Sequence, residues 1–238
     1  MTVLAARLGG LIDGEADGDV DRKGPLRVID IGCGTGASIA ALAGVLPPDT
    51  LFVGVDLFQP FLDVLEERVA EFGDRVTTVC ASMEDLPFDD ASFDVVWSEG
   101  AIYNMGFSKG IAAFSRLLKP GGILAVSEIV WLLPEPRLPE ELAAFWNAEY
   151  PEIARPAPKI SALEDAGYSL KGFFVLGVEC WMDGYYRPLQ ESFDAFLAAH
   201  PGDDDAAALI ASERSEVSQY QSNSHAYSYG FFICQWSH

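Results

Sequence analysis

A buried strand that runs into alternate glycines constrains this chain more than any other stretch. Val28, Ile29 and Ile31 are β-branched and apolar, as in a strand covered on both faces of a parallel sheet. Gly32, Gly34 and Gly36 follow at alternate positions. Glycine adopts φ > 0 and lets a ligand approach the backbone closely. Residues 37–43 are then rich in good helix formers. Strand, glycine turn and helix form the first unit of a doubly wound α/β sheet, its helix N-terminus aimed at whatever rests on the loop.

Two spacings coexist here. Gly32, Gly34 and Ala37 satisfy the dinucleotide pattern G-x-G-x-x-G/A. Asp30, Gly32, Gly34 and Gly36 satisfy D-x-G-x-G-x-G, which resembles the first motif of the class I S-adenosylmethionine (SAM) methyltransferases. A second buried strand, residues 51–56, ends on Asp56 about 20 residues past the glycines, with Leu57 beside it. A carboxylate there bonds a ribose diol or caps the next helix.

Later residues separate the two cofactors. Leu86-Pro87-Phe88, an acidic turn and Phe93-Asp94-Val95-Val96 resemble the second motif region of class I methyltransferases. There the turn after the third strand meets the adenine. The usual acidic position of that turn falls on Ser82, with Met83 beside it, a departure from the commonest pattern. Lys119-Pro120-Gly121-Gly122 resembles the third motif, whose role is to stop a helix and turn the chain. A nicotinamide-dependent oxidoreductase has no reason to carry these signatures.

The resemblance covers roughly residues 26–178, and the last strand is consistent with it. It implies a doubly wound, seven-stranded, mostly parallel sheet of the Rossmann-like kind with an antiparallel last strand. It also implies SAM as cofactor, S-adenosylhomocysteine as product and a small-molecule methyl acceptor. The run Trp97–Asn104 and the Trp/Tyr-rich stretches resemble a subgroup of small bacterial methyltransferases of unassigned substrate. Members often carry residues ahead of the first helix that cover the cofactor. This chain begins late, which implies an incomplete lid or a truncated start. The alternatives are a non-catalytic SAM-binding protein on the same fold and, behind it, the NAD-dependent oxidoreductase.

In open α/β sheets the site lies at the carboxyl ends of the strands. Ser98, Glu99, Tyr103 and Asn104 follow the fourth strand and are placed to meet cofactor or acceptor. Glu99 and Glu128 end adjacent strands and are candidate general bases, needed only if the acceptor must lose a proton. Glu99 could equally bond the cofactor's amino group or a backbone donor. Tyr103 could orient an acceptor or form the pocket wall. Residues 129–160, with Trp131, Trp146 and Tyr150, interrupt the strand–helix alternation as an inserted cap; Trp181, Tyr185 and Tyr186 form a second aromatic cluster. Together they could build an aromatic, cation-binding pocket or simply pack the cap.

Composition limits the partners. At 238 residues, half of them hydrophobic, the chain suits one α/β domain spanning 1–238. A formal charge of −21 repels phosphate backbones and anionic lipid, so neither nucleic acid nor membrane is expected as a partner. No apolar run reaches the ~18 residues of a membrane span, and no secretory signal is expected. Four scattered cysteines and three histidines suggest neither a disulfide framework nor a metal site, so a cytoplasmic location is expected. A homodimer stays open. The remaining expected elements are a connector at 13–23, helices at 3–8, 61–72, 111–118, 160–167, 190–200 and 204–221, and strands at 75–80, 123–128, 173–178 and 227–236.

Overall fold

The computed structural model describes residues 1–12 and 24–237, so the connector expected at 13–23 lies outside the described residues. β1 (Arg27–Ile31), β2 (Leu51–Asp56), β3 (Val76–Cys80), β4 (Phe93–Ser98) and β5 (Leu118–Trp131) pair in parallel. β6 (Tyr168–Val175) and β7 (Tyr227–Trp236) complete a seven-stranded sheet of order β3-β2-β1-β4-β5-β7-β6, with β7 antiparallel to both neighbours.

Parallel pairs need crossover helices, and those helices cover both faces of the sheet. α1 (Thr2–Leu8), α2 (Ala37–Ala43) and α3 (Gln59–Arg68) cover one face, where Ile39, Leu42, Leu62 and Leu65 pack with Val28, Phe52, Val95 and Trp97. α4 (Phe107–Ser115) and α6 (Pro156–Asp165) cover the other, where Phe107, Ile111, Phe114 and Leu163 pack with Ile29, Ile31, Val96 and Leu124. The alternation of β1 residues between these clusters is the period-2 geometry of a strand. Strand order reverses between β1 and β4, the switch point where such sheets hold ligands.

A third cluster lies at the carboxyl end of β5. It joins α5 (Glu140–Glu149), a helical run made of α7 (Val178–Trp181), one π turn (Met182–Tyr186) and α8 (Arg187–Ala199), and α9 (Asp204–Asn223). Leu142, Tyr150, Trp181, Tyr186, Val217 and Tyr220 pack there against Ile129, Trp131 and Tyr227. Asp203 starts α9, its side chain accepting from the backbone N–H groups of Asp205 and Ala206 at 3.0 and 3.1 Å.

Several boundaries differ from the sequence expectation, each for a tertiary reason. β5 continues to Trp131 because β7 pairs it that far, Trp131 opposite Tyr227. Residues 129–131 are therefore strand, not inserted cap. β6 starts at Tyr168 rather than 173, in register with Trp236 of β7. α6 starts at Pro156 rather than 160, since proline suits the first turn of a helix. α3 stops at Arg68, and the rest of the expected helix is a 3₁₀ stretch, Ala70–Arg75, broken at Gly73 with φ 57°. The aromatic stretch 181–186 is helical, continuous with the helix expected only from 190.

Candidate functional site

Two cavities meet at the carboxyl ends of β1, β2, β4 and β5, and Gly100 lines both. The first, of about 500 Å³, is built on the glycine loop. Gly32 and Cys33 donate from their backbone N–H groups to the Val55 carbonyl at 2.8 and 3.0 Å, and Gly34 donates to Asp56 Oδ2 at 2.9 Å. The loop thus wraps around the end of β2. Asp56 Oδ1 also accepts from the Phe58 N–H at 3.0 Å. A carboxylate has about four acceptor sites, so two remain for a ligand.

Gly34 (φ +52°) has nothing within 4 Å of where a Cβ would stand, so its backbone lies bare to the cavity. Gly36 (φ +79°) faces inward, where a Cβ would stand 2.5 Å from Leu65 Cγ. One glycine therefore serves access and the other serves packing. Phe58, Phe61, Ala81, Ser82 and Met83 close the cavity opposite the loop. Apolar walls with a few convergent polar groups suit an adenosine-sized ligand.

Among the expected cofactor residues, Gly32, Gly34, Asp56, Leu57, Ser82 and Met83 line this cavity together. Asn104 lines it as well, on the cofactor side rather than in the acceptor pocket. Asp30, Gly36 and Ser98 do not line it. Asp30 is 2% exposed beneath the loop and accepts from Ser38 Oγ, and burial pushes its carboxyl up to about 7. Ser98 is fully buried and donates to the Ile31 carbonyl at 2.8 Å, pinning β4 to β1.

The second cavity, of about 640 Å³, opens on the other side of Gly100. Glu99, Tyr103, Trp146, Tyr150, Trp181 and Tyr185 all reach it. Glu99 Oε1 accepts from Trp97 Nε1 and from Thr2 Oγ1, both at 2.8 Å, so α1 helps to fix the carboxylate. Burial pushes the Glu99 carboxyl up, against the lowering effect of those two donors.

Glu128 and Trp131 stand outside the cavity. Glu128 points to the opposite face of β5, fully buried, where its Oε1 accepts from Lys159 Nζ and from the Tyr150 hydroxyl, each at 2.6 Å. Its neighbours leave it no path to a substrate. Trp131 is 4% exposed and its ring meets Tyr227 edge-on, with centroids 6.3 Å apart, beneath the aromatic wall. The sequence reading missed Tyr227, Tyr229, Glu216 and Gln219 in this cavity. The signal for the two tyrosines was the alternation Tyr227, Tyr229, Phe231 on one face of the last strand. Glu216 and Gln219 lie one helical turn apart on a polar helix, where nothing in the sequence singles them out.

A parallel sheet that switches at β1/β4, with a bare glycine loop and a β2 carboxylate facing a cavity, is the Rossmann-like arrangement in which such folds hold ligands. Residues 28–122 match the family model described as a methyltransferase domain. Over 138 residues the chain is 33% identical to the 27-O-demethylrifamycin SV methyltransferase of Amycolatopsis mediterranei (strain S699), covering 57% of this chain and 47% of that protein. Over 174 residues it is 31% identical to a demethylmenaquinone methyltransferase of Clavibacter sepedonicus, covering 73% of this chain and 64% of that protein. The fold superimposes with TM-score 0.76 on a SAM-dependent methyltransferase of Geobacter sulfurreducens solved with S-adenosylhomocysteine, at 24% identity, covering 97% of this chain and 89% of that one. The chain is thus similar to methyltransferases over residues 28–122 and shares the fold of a SAM-dependent methyltransferase. It spans between 47% and 64% of the length of these two curated relatives.

Proposed function

We propose that the protein transfers a methyl group from SAM to a small-molecule acceptor, with cofactor in the 500 Å³ cavity and acceptor in the 640 Å³ cavity. The observation that carries this reading is the meeting of the two cavities at Gly100. One is lined by the glycine-loop region that matches the methyltransferase model, the other by an aromatic wall.

When bound, SAM supplies a methyl carbon already activated by its sulfonium. The chain's task is then alignment and exclusion of water. Asp56 accepts from the ribose hydroxyls with its remaining lone pairs. The bare backbone at Gly34 allows close approach, and Ser82 and Met83 flank the adenine. Glu99, at the junction, takes a proton from an acceptor that must lose one, using Oε2, since Oε1 already holds two donors. Tyr103 and Tyr150, in edge contact with centroids 6.1 Å apart, form one wall. Residues 132–155 and the helices at 178–223 act as the cap. A wall of this kind suits a small acceptor. No helix among the described residues is long and apolar enough to cross a membrane. Cys33, Cys80, Cys180 and Cys234 are all unpaired, which supports a reducing, cytoplasmic setting.

Two measurements test the cofactor. SAM or S-adenosylhomocysteine at about 100 times its Kd should add ~2.7 kcal/mol of stability, a melting shift of roughly 5–10 °C, and NAD should add none. A shift with NAD alone would overturn the reading. Asp56→Ala should lower cofactor affinity about tenfold to a hundredfold, because charge-assisted hydrogen bonds contribute ~1.5–3 kcal/mol each. Unchanged affinity by calorimetry would leave Asp56 only as a support for the loop and for Phe58. Release of S-adenosylhomocysteine with an acceptor distinguishes an enzyme from a non-catalytic SAM-binding protein.

A further inference from the structure

The 640 Å³ cavity carries one sign of charge. Glu99 lies at its inner end, and Glu149 and Glu216 are exposed toward its mouth. No lysine, arginine or histidine is among its described lining residues. The Met1 ammonium acts on the Glu99 carboxyl without lining the cavity, and three further cations are paired with acids. Lys159 pairs with Glu128 behind Tyr150, Arg187 pairs with Asp183 at 2.9 Å, and Arg214 faces Asp194 at 4.0 Å and the Phe193 ring. The walls between these carboxylates are aromatic side chains, Tyr103, Trp146, Tyr185, Tyr227 and Tyr229 among them. Trp181 stacks on Tyr229 with centroids 5.0 Å apart, and Trp146 meets Tyr227 at 5.2 Å.

Resting on the methyltransferase reading, we infer that this cavity selects a cationic nitrogen compound and that the methyl acceptor is an amine carried in as its ammonium. Aromatic faces attract a cation through the ring quadrupole, more strongly where water is excluded. Carboxylates at the mouth with no basic side chain beside them in the lining add attraction and repel acids. An anionic acceptor would meet three glutamates and no basic side chain among the described lining residues. A neutral phenol or quinone would leave those carboxylates uncompensated and gain nothing from them.

The chemistry balances within the site. The ammonium N–H gives its proton to Glu99 Oε2, leaving a lone pair on nitrogen. Nitrogen forms the N–C bond to the methyl carbon as the C–S bond breaks, and that bond's electron pair returns to sulfur, neutralising the sulfonium. Glu99 then releases the proton to water. Burial already pushes the Glu99 carboxyl up, toward the range in which it can accept and return a proton.

The test uses the full chain saturated with S-adenosylhomocysteine, binding of which is confirmed first by melting shift. The probes are choline and its uncharged carbon isostere, 3,3-dimethylbutan-1-ol, titrated by calorimetry. Choline should bind at least tenfold more tightly. The variant Glu149→Gln/Glu216→Gln should remove most of that preference while leaving isostere and cofactor affinities unchanged, because both side chains are exposed and glutamine still accepts from the Tyr186 hydroxyl that bonds Glu216 at 2.9 Å. Across an acceptor panel with SAM, amines should release S-adenosylhomocysteine at least tenfold faster than size-matched phenols and carboxylic acids. Cofactor binding with equal or no affinity for the two probes, or faster turnover of phenols, overturns the amine assignment alone. Failure to bind the cofactor overturns the methyltransferase reading beneath it.

Discussion

Gly36→Ala is expected to cost the protein about 2–4 kcal/mol, whereas Gly34→Ala, two residues away, should cost about 1 kcal/mol and weaken cofactor binding more than tenfold. The two positions share a left-handed backbone, with φ +79° and +52°, so each alanine carries the left-handed penalty. They differ in what lies beyond. The new methyl at 36 would stand 2.5 Å from Leu65 Cγ and 3.0 Å from its Cδ1. Leu65 is fully buried between α3 and the sheet, so it cannot retreat without disturbing Ile39, Leu62 and Phe52 around it. For a chain of this size the loss is a melting decrease of roughly 5–15 °C. The methyl at 34 would meet no protein atom within 4 Å and would stand over the cavity floor, where the ligand approaches. Its expected signature is a nearly unchanged melting point with affinity for S-adenosylhomocysteine reduced more than tenfold. Equal melting losses in the two variants would show that both glycines serve the fold. Retained binding in Gly34→Ala would remove the loop from the cofactor site.

That contrast also shows how much the sequence disclosed. The glycine loop was legible because its requirements are local: a strand, positive φ and a following helix all sit within eleven residues. The β2 and β3 strand ends were legible for the same reason, and Asp56, Ser82 and Met83 do share one cavity. Residues whose direction depends on a distant partner were not legible. Glu128 lies two places past Val126 on β5, and strand alternation sends both to the α4/α6 face, where Lys159 meets it. Sequence spacing made both Glu99 and Glu128 candidate bases, Glu99 the stronger, because they end adjacent expected strands. Trp131 was assigned to an insertion because β7, which extends its strand, lies about 100 residues downstream. Tyr227 and Tyr229 were overlooked because an antiparallel last strand carries them back along β5 to the cavity, opposite Trp131 and Ile129. Long-range pairing decided each of these cases, and a single sequence records it only faintly.

Lys159→Met should be among the most damaging single changes behind the cavity, and most of its cost should be recoverable by a second change. Lys159 is 4% exposed and Glu128 0%, with Nζ 2.6 Å from Oε1. The ammonium also lies 4.4 Å from the Phe107 ring centroid and 5.3 Å from that of Tyr150. Glu128 Oε2 has no partner, so Lys159 and the Tyr150 hydroxyl carry the whole compensation of this carboxylate. Removing one member of a buried pair costs about 3–5 kcal/mol, because the other charge stays buried. Burial pushes the Glu128 carboxyl up while the Lys159 contact lowers it. In Lys159→Met the upward push of burial is opposed only by the Tyr150 hydrogen bond, and the folded variant holds a proton that the unfolded chain releases. Stability of the variant should therefore fall as pH rises from the unfolded carboxylate range, near 4.3, toward the raised folded value. The wild type should lose less over the same window. Glu128→Gln/Lys159→Met removes the charge and should restore most of the melting temperature and flatten that pH dependence. The pair also has a functional reach, since Tyr150 lines the acceptor cavity, donates to Glu128 and accepts from the Phe107 N–H at 3.2 Å. Losing Lys159 should therefore weaken acceptor binding while leaving affinity at the glycine loop unchanged. A single variant as stable as wild type from pH 5 to 8, or a double variant no better than the single, would show that the pair does not hold this wall.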